Sequence, residues 1–282
     1  MAGGLGTRLF PITNLYSKQL VPVYDKPLII YPISTLMLAG IRQILIICNE
    51  SDLKLFERLL GDGNQLGIEI DYAIQQKPGG IAEAFIIAEK FISGEPVCLI
   101  LGDNIFYGQG LGSDLAKFKT VEGCQLFAYH VQNPSDYGVI ELSDNGEILT
   151  IEEKPKFPRS KLAVTGLYFY DGNVTELVKD LAPSNRGELE ITDLNNVYLS
   201  NGLLNCEVLK RGIAWLDTGT FEGIYSATSF VRAIEQRQGF KIACLEEIAW
   251  RMGWISSEQL NNLVKSITQA ELKEYLSNLV KN

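Results

Sequence analysis

Two short, unbroken apolar runs set the class of this chain. Ile44-Leu45-Ile46-Ile47 and Val97-Cys98-Leu99-Ile100-Leu101 carry no charged or strongly polar residue on either face. A strand with one side in water alternates apolar and polar residues. A strand buried on both sides does not, and that is the habit of a parallel sheet covered by helices. The segments around these runs read as the covering helices. Pro27 suits the first turn of a helix from Leu28 to Ala39, which Gly40 ends. Ser51 or Asp52 can cap a helix to Leu60, and Ile81 to Phe91 reads as another. Ile68 to Ile74 is a third strand in the same alternation.

The middle of the chain changes character. Cys124 to Val131, Tyr137 to Leu142, Ile148 to Glu152 and Leu162 to Tyr170 read as strands, and Asp144-Asn145-Gly146 is a hairpin signal between two of them. Helices resume at Asn173 to Leu181 and Glu188 to Ser200, followed by a strand at Leu203 to Leu209. A long helix from Phe221 to Gln238 ends at Gly239. Glu246 to Asn282 reads as helical, with Ser257 as a cap. The expected fold is α/β: a Rossmann-like open sheet, mixed but mostly parallel, flanked by helices. With no linker-like composition shift, the expected organisation is one catalytic domain, 1–240, and a C-terminal helical extension, 241–282.

Among 282 residues, 34 are acidic and 25 are Lys or Arg, a net charge of −9 that argues against a nucleic-acid backbone as partner. His130 is the only histidine, so His-based triads and multi-histidine metal sites are excluded by count. It sits in an apolar run and reads as structural. The five cysteines are scattered, with no C-x-x-C pair, and read as free thiols of a reducing cytoplasm. The longest apolar stretch, Leu28 to Ile47, is broken by Pro32, Gly40 and Arg42, and no leader opens the chain. A cytoplasmic protein without membrane association is expected.

The candidate chemistry begins with Gly3-Gly4-Leu5-Gly6-Thr7-Arg8. Glycines let successive backbone N–H groups curl around an anion, and an arginine adds a planar cationic fork. Lys18 adds a second charge. The bland alternative is a frayed glycine-rich end. The loop matches neither the Walker A pattern nor G-x-G-x-x-G, because Leu9 stands where the last glycine belongs. Asp103 and Asp217 both follow strands, where ligands of open α/β sheets bind, and two carboxylates suit Mg²⁺ shared with substrate phosphates. Each alone is also an ordinary turn aspartate. Tyr137-Gly138-Val139 allows close backbone approach. Glu152-Glu153-Lys154-Pro155 sets carboxylates for sugar hydroxyls beside an amine for a phosphate, or is a solvated charge cluster. Gln75-Gln76 offers amide edges suited to a nucleobase, or is simply a loop.

These residues together resemble the sugar-1-phosphate nucleotidylyltransferases. The likeness is carried by Ala2-Gly-Gly-Leu-Gly-Thr-Arg-Leu9, Ser17-Lys-Gln-Leu-Val-Pro-Val23, Leu101-Gly-Asp-Asn104, Tyr137-Gly-Val139, Glu152-Glu-Lys-Pro155, Val164-Thr-Gly166 and Trp215-Leu-Asp-Thr-Gly219. Arg186-Gly-Glu-Leu-Glu-Ile-Thr-Asp193 and the C-terminal helices are similar to the thymidylyl subgroup, which acts on glucose 1-phosphate. The resemblance implies a Mg²⁺-dependent reaction of dTTP with α-D-glucose 1-phosphate to give dTDP-glucose and pyrophosphate, a first step towards dTDP-rhamnose and other deoxysugars. It implies nucleotide binding by Gly3, Gly6, Thr7, Arg8, Gln75, Gly80 and Asp103. Lys18, Asn104, Gly138, Glu153, Lys154 and Val164 would hold the sugar phosphate. Arg8, Lys18, Asp103 and Asp217 would carry the catalysis, the two aspartates as metal ligands. It further implies a homotetramer with feedback inhibition by dTDP-rhamnose, for which Tyr107, Gly108, Arg211 and Arg251 are candidates.

One departure stands out. The family's short apolar strand immediately before Ala-Gly-Gly is missing from this sequence, which opens at Met1-Ala2. Two neighbouring strands are then expected to lose a ladder partner, and the glycine loop an anchor. That expectation keeps two further readings open. One is a transferase for UTP or another sugar phosphate. The other is a shortened, catalytically impaired nucleotide-sugar-binding homologue.

Overall fold

The computed structural model describes every residue except Leu5 and Asn282, so one position of the glycine loop and the last residue of the expected terminal helix lie outside the described residues. The loop leads through single helical turns at Thr7–Leu9, Ile12–Asn14 and Lys18–Leu20 into a two-residue ladder of β1 (Pro22–Val23) and β2 (Lys26–Pro27). Helix α1 (Ile30–Leu38) begins later than Pro27 predicts. The N–H groups of Leu28 and Ile29 donate instead to the carbonyls of Val21 and Gln19, which ties this segment to the Lys18 turn.

Strands β3 (Gln43–Cys48) and β4 (Glu69–Ile74) are parallel neighbours joined through α2 (Leu53–Leu60). The helix expected over 81–91 is two short pieces, α3 (Glu83–Ile87) and α4 (Glu89–Ile92), parted at Ala88. Next come β5 (Val97–Ile100) and β6 (Asn104–Tyr107), the latter not foreseen from the sequence, then α5 (Leu111–Leu115). The middle strands are β7 (Cys124–His130), β8 (Gly138–Leu142), β9 (Ile148–Glu153) and β10 (Leu162–Tyr170). The chain continues with α6 (Val174–Leu177), α7 (Ile191–Ser200), β11 (Leu204–Val208), β12 (Ala214–Asp217) and α8 (Phe221–Gln238). The terminal segment is three helices, α9 (Leu245–Arg251), α10 (Ser257–Ser266) and α11 (Ala270–Leu279). The cap of α10 is Ser256 rather than Ser257. Its hydroxyl accepts from the Gln259 N–H while the Gln259 side chain returns a bond to the Ser256 N–H.

The class is the expected one, a mixed sheet flanked by helices. Within it antiparallel ladders prevail: only β3–β4 and β7–β11 are parallel ladders among the described residues. The shift comes from β10, which pairs antiparallel with β7 along one edge and with two strands along the other. Ala163 faces Val139 of β8, whereas Leu167 to Tyr170 face β5, and the register slips between Val164 and Tyr168. The sheet therefore forks at residues 164–167, and the fork opens the candidate site.

Among the described residues, β3 pairs with β4 along one edge and meets Ala2 along the other, and β5 pairs with β10 along one edge and meets Met1 along the other. The Ala2 N–H donates to Ile47 O at 2.7 Å and the Met1 ammonium to Ile100 O at 3.0 Å, while the Gly102 N–H returns a bond to Met1 O at 2.9 Å. These two residues still anchor the start of the glycine loop. The C-terminal helices are no loose appendage: Leu245, Ile248, Ala249 and Leu260 share one apolar core with Ile44, Ile46, Ile68 and Ile70. No helix among the described residues is long and apolar enough to cross a membrane.

Candidate active site

The strands β6 and β12 bring two distant carboxylates together. They pair antiparallel with Asp217 opposite Asn104, so Asp103 and Asp217 sit at one end of the ladder. Thr218 locks that end: its N–H and hydroxyl both donate to the Asp103 carbonyl, at 3.1 and 2.7 Å. The Gly219 N–H donates to Asp217 Oδ1 at 3.0 Å. A Cβ on Gly219 would lie 2.6 Å from an Arg8 guanidinium nitrogen, so this glycine is what lets Arg8 lie against the aspartate turn.

Lys18, on the turn after the glycine loop, forms an ion pair with Asp103, both side chains being largely buried. Burial alone would push the Asp103 carboxyl up, but the Lys18 charge and hydrogen bond, with the Asn104 amide, outweigh it and hold the acid below its ordinary value. Asp217 goes the other way. Burial and then the Asp103 charge raise it, against the Gly219 N–H and the charges of Lys18 and Arg8. Two carboxylates that repel each other beside cations form a hard oxygen donor pair of the kind that suits a divalent ion. No larger cluster of metal-ligating side chains occurs among the described residues.

At the fork of the sheet, a pocket of about 200 Å³ is lined by Arg8, Asp103, Asn104, Gly138, Glu153, Lys154, Val164 and Asp217. Gly138 faces Glu153 across the β8–β9 ladder. Glu153 accepts from the Thr192 hydroxyl at 2.6 Å and pairs with Lys154 at 3.3 Å. Lys154 holds φ of +44°, a left-handed conformation rare for a residue with a long side chain, and its N–H donates to Tyr137 O at 3.0 Å. Such backbone strain collects at functional sites. Asn104 lines the pocket, yet its side chain is buried and already engaged. Its Oδ1 accepts from Trp215 Nε1 at 2.6 Å and from the Gly166 N–H at 3.0 Å, and its Nδ2 donates to Asp103 at 3.2 Å.

The nucleotide candidates lie around the glycine loop. Gly6 takes φ of +59°, and the Thr13 hydroxyl donates to its carbonyl. A Cβ on Gly3 would collide with the Gln75 amide, so Gly3 and Gln75 are in direct apposition. Gln75 is buried, donating to Glu83 at 2.6 Å and to Gly80 O at 3.4 Å. Gly80, at φ of +97°, packs on the Leu189 backbone, and bonds from Ala82 to Leu189 and from Leu189 to Gly79 stitch the two loops together. Thr7 opens the turn that carries Arg8.

Tyr168 and Asn195, which were not singled out from the sequence, also line the pocket, together with Tyr137, Gly166, Ile191, Thr192 and Trp215, which were quoted within motifs without being given a site role. Ile191 and Asn195 stand one helical turn apart, a spacing that marks a shared face of α7. Tyr137 packs edge-on against Trp215 at 5.2 Å. The residues considered for feedback lie elsewhere. Tyr107 bonds Gln238 at 3.1 Å, Gly108 packs on the Gly212–Ile213 turn next to exposed Arg211, and Arg251 on α9 bonds Glu247 at 2.7 Å. His130 is exposed at the end of β7, and all five cysteines are free.

This arrangement of a glycine loop, cations and two stitched aspartates belongs to a known class. The nucleotidyl transferase family profile matches residues 1–234, and the chain belongs to that family. A glucose-1-phosphate thymidylyltransferase of Neisseria meningitidis is 54% identical over 282 residues, covering 100% of this chain and 98% of the relative. One from Mycobacterium tuberculosis is 53% identical over 280 residues, covering 99% and 97%. A Bacillus anthracis protein, described as a glucose-1-phosphate thymidylyltransferase and crystallised with sucrose, superposes with a TM-score of 0.75 at 38% identity, over 82% of this chain and 93% of that one. A UDP-glucose pyrophosphorylase in complex with UDP-glucose gives 0.72 at 26% identity, over 84% and 97%.

Proposed function

We propose that this enzyme transfers a thymidylyl group from dTTP to α-D-glucose 1-phosphate, releasing pyrophosphate and forming dTDP-glucose. The observation that carries the proposal is the convergence of Arg8, Asp103 and Asp217, with Lys18 paired to Asp103, on a pocket also lined by Glu153, Lys154 and Val164. The attacking group is a phosphate oxygen of the sugar phosphate, the bond that breaks joins the α-phosphorus to the bridging oxygen, and pyrophosphate departs with that electron pair. No enzyme nucleophile is needed, so positioning and charge neutralisation carry the rate.

In this scheme the Gly3–Thr7 backbone holds the triphosphate and Arg8 neutralises the leaving pyrophosphate. Lys18 lies between the α-phosphate and the incoming phosphate. Gln75, with Gly80, faces the thymine. Glu153 accepts from sugar hydroxyls, Lys154 holds the sugar phosphate, and Gly138 and Val164 shape its pocket. Asn104 supports this floor from below. Asp103 and Asp217 would hold Mg²⁺, whose positive charge offsets that developing on the phosphates.

The division into a catalytic part, 1–240, and an extension, 241–282, and assembly into a homotetramer, belong to the same proposal; light scattering of the purified protein tests the assembly. A pyrophosphate-release assay with dTTP, UTP and CTP on glucose 1-phosphate, with and without chelator, tests the chemistry. Preference for dTTP and loss of turnover in chelator, restored by Mg²⁺, are expected. A clear UTP preference overturns the nucleotide assignment, and full turnover in chelator overturns the metal role.

A further inference from the structure

Gln75 follows β4 directly, and its N–H donates to Cys48 O at 2.8 Å, which continues the β3–β4 ladder by one residue. The residue is only 3% exposed. Its side-chain amide has two unlike edges, a carbonyl that only accepts and an NH2 that only donates. Which edge faces a ligand therefore decides what the residue can recognise. The NH2 edge is engaged inside the protein, where Nε2 donates to Glu83 Oε2 at 2.6 Å and to Gly80 O at 3.4 Å. The other edge, Oε1, lies against the glycine loop: a Cβ on Gly3 would stand 2.2 Å from it.

Glu83, in the first turn of α3, is the group that fixes this orientation. A carboxylate offers acceptors and no donor, so it holds the NH2 edge and turns the carbonyl away. Its charge makes that bond stronger than one between neutral groups. Glu83 is itself held in place. A Cβ on Gly79 would come within 2.4 Å of the Glu83 carboxyl group, so the backbone passes this close only as glycine. The Leu189 N–H donates to Gly79 O at 2.7 Å and the Ala82 N–H to Leu189 O at 3.1 Å, which pins the chain on both sides of the Gln75–Glu83 contact to the segment before α7. The transfer chemistry itself makes no use of Glu83.

We propose that Glu83 is a positioning residue for base selection: by holding the NH2 edge of Gln75 it presents Oε1 as an acceptor, and so selects a pyrimidine that carries hydrogen at N3. The inference rests on the assignment of Gln75 to the base under the proposed function. Thymine and uracil both have an N3–H that meets the acceptor. Cytosine has a bare lone pair at N3, so two acceptors would face each other with no proton between them. A glutamine without Glu83 would serve either base, because its amide can turn over and offer NH2 to cytosine. Uracil passes this contact as readily as thymine, so the contact does not read the ring methyl.

Calorimetric titration of the full chain with dTTP and with dCTP, in the absence of sugar phosphate, measures the selection as a ratio of dissociation constants that does not depend on turnover. The wild-type ratio is expected to favour dTTP by about tenfold or more. Glu83→Leu frees the amide, and the ratio should fall to roughly threefold or less, chiefly through tighter binding of dCTP. Glu83→Gln can still offer a carbonyl to the Gln75 NH2 and should keep the wild-type preference. Gln75→Leu should lose the preference, and adding Glu83→Leu to it should change the ratio no further. An undiminished ratio in Glu83→Leu overturns the role of Glu83 and leaves Gln75 as the reader of the base. Equal loss in Glu83→Leu and Glu83→Gln overturns the acceptor role, and equal weakening of both nucleotides shows a merely structural part. A further change in the double variant overturns the route through Gln75. A wild type with no preference for dTTP over dCTP overturns the assignment of Gln75 to the base, and the inference with it.

Discussion

Replacing Lys18 with methionine separates the structural and chemical work of one side chain. The Lys18 and Asp103 side chains are 14% and 13% exposed. Without the ammonium, the Asp103 carboxylate keeps its burial and loses its strongest counter-charge. Breaking a fully buried pair from one side costs about 3–5 kcal/mol, and partial screening here brings the expectation to about 2 kcal/mol. For a chain of this size that is a fall in Tm of roughly 4–8 °C. The sign with pH follows from the lowered acid. Paired Asp103 stabilises the fold above its ordinary value of 3.8, a contribution lost as pH falls through the folded value, so the deficit of Lys18→Met is largest near neutrality and fades in acid. Turnover should fall about 100- to 1,000-fold, the usual loss when a transition-state charge partner is removed. Adding Asp103→Asn removes the stranded charge. The double variant should therefore recover most of the stability while staying inactive. Thermal denaturation at several pH values and the pyrophosphate-release assay measure both halves. A double variant no more stable than Lys18→Met, or a single variant with normal turnover, would refute this account.

Asp217→Asn should lose activity about 100-fold while raising Tm by a few degrees, because an acid raised by burial and by Asp103 destabilises the fold when ionised; a drop in Tm sinks this. Asn104→Leu strands the buried donors of Trp215 and Gly166, at about 1–3 kcal/mol each, and should lower the urea midpoint accordingly. An unchanged midpoint would show that Asn104 holds nothing in place. Gly80→Ala forces a left-handed alanine against the Leu189 backbone, so KM for dTTP should rise severalfold with KM for glucose 1-phosphate little changed. The reverse pattern contradicts the division of the site.

What could be read from the sequence was what local chemistry determines. The runs at Ile44–Ile47 and Val97–Leu101 announced buried strands, Gly239 ended its helix at φ of +71°, and Gly146 turned its hairpin at φ of +83°. What escaped depended on partners far along the chain. β6 is a strand because Ala214 to Asp217 lie beside it, more than a hundred residues later. The fork in β10 is invisible in Leu162–Tyr170 itself, since an unbroken apolar strand does not say that two different partners share one edge. The site followed the same division. The residues bearing charge were legible as chemistry. The α7 wall and the buried engagement of Asn104 emerge only when β6, β10 and β12 are assembled.

The shared core of β3, β4 and α9 has a consequence for how the polypeptide is made. Ile44, Ile46, Ile68 and Ile70 pack with Leu245, Ile248 and Ala249, and the Arg42 guanidinium stacks on the Trp254 ring at 5.5 Å. A ribosome adds about 5–20 residues each second, so roughly ten to forty seconds separate the synthesis of the early strands from that of the helix that covers them. Throughout that interval the nascent β3–β4 pair has an apolar flank without its cover. The last seventh of this sequence therefore encodes the lid for the first quarter, and a translational stall between the two leaves a sticky intermediate for chaperones to shield.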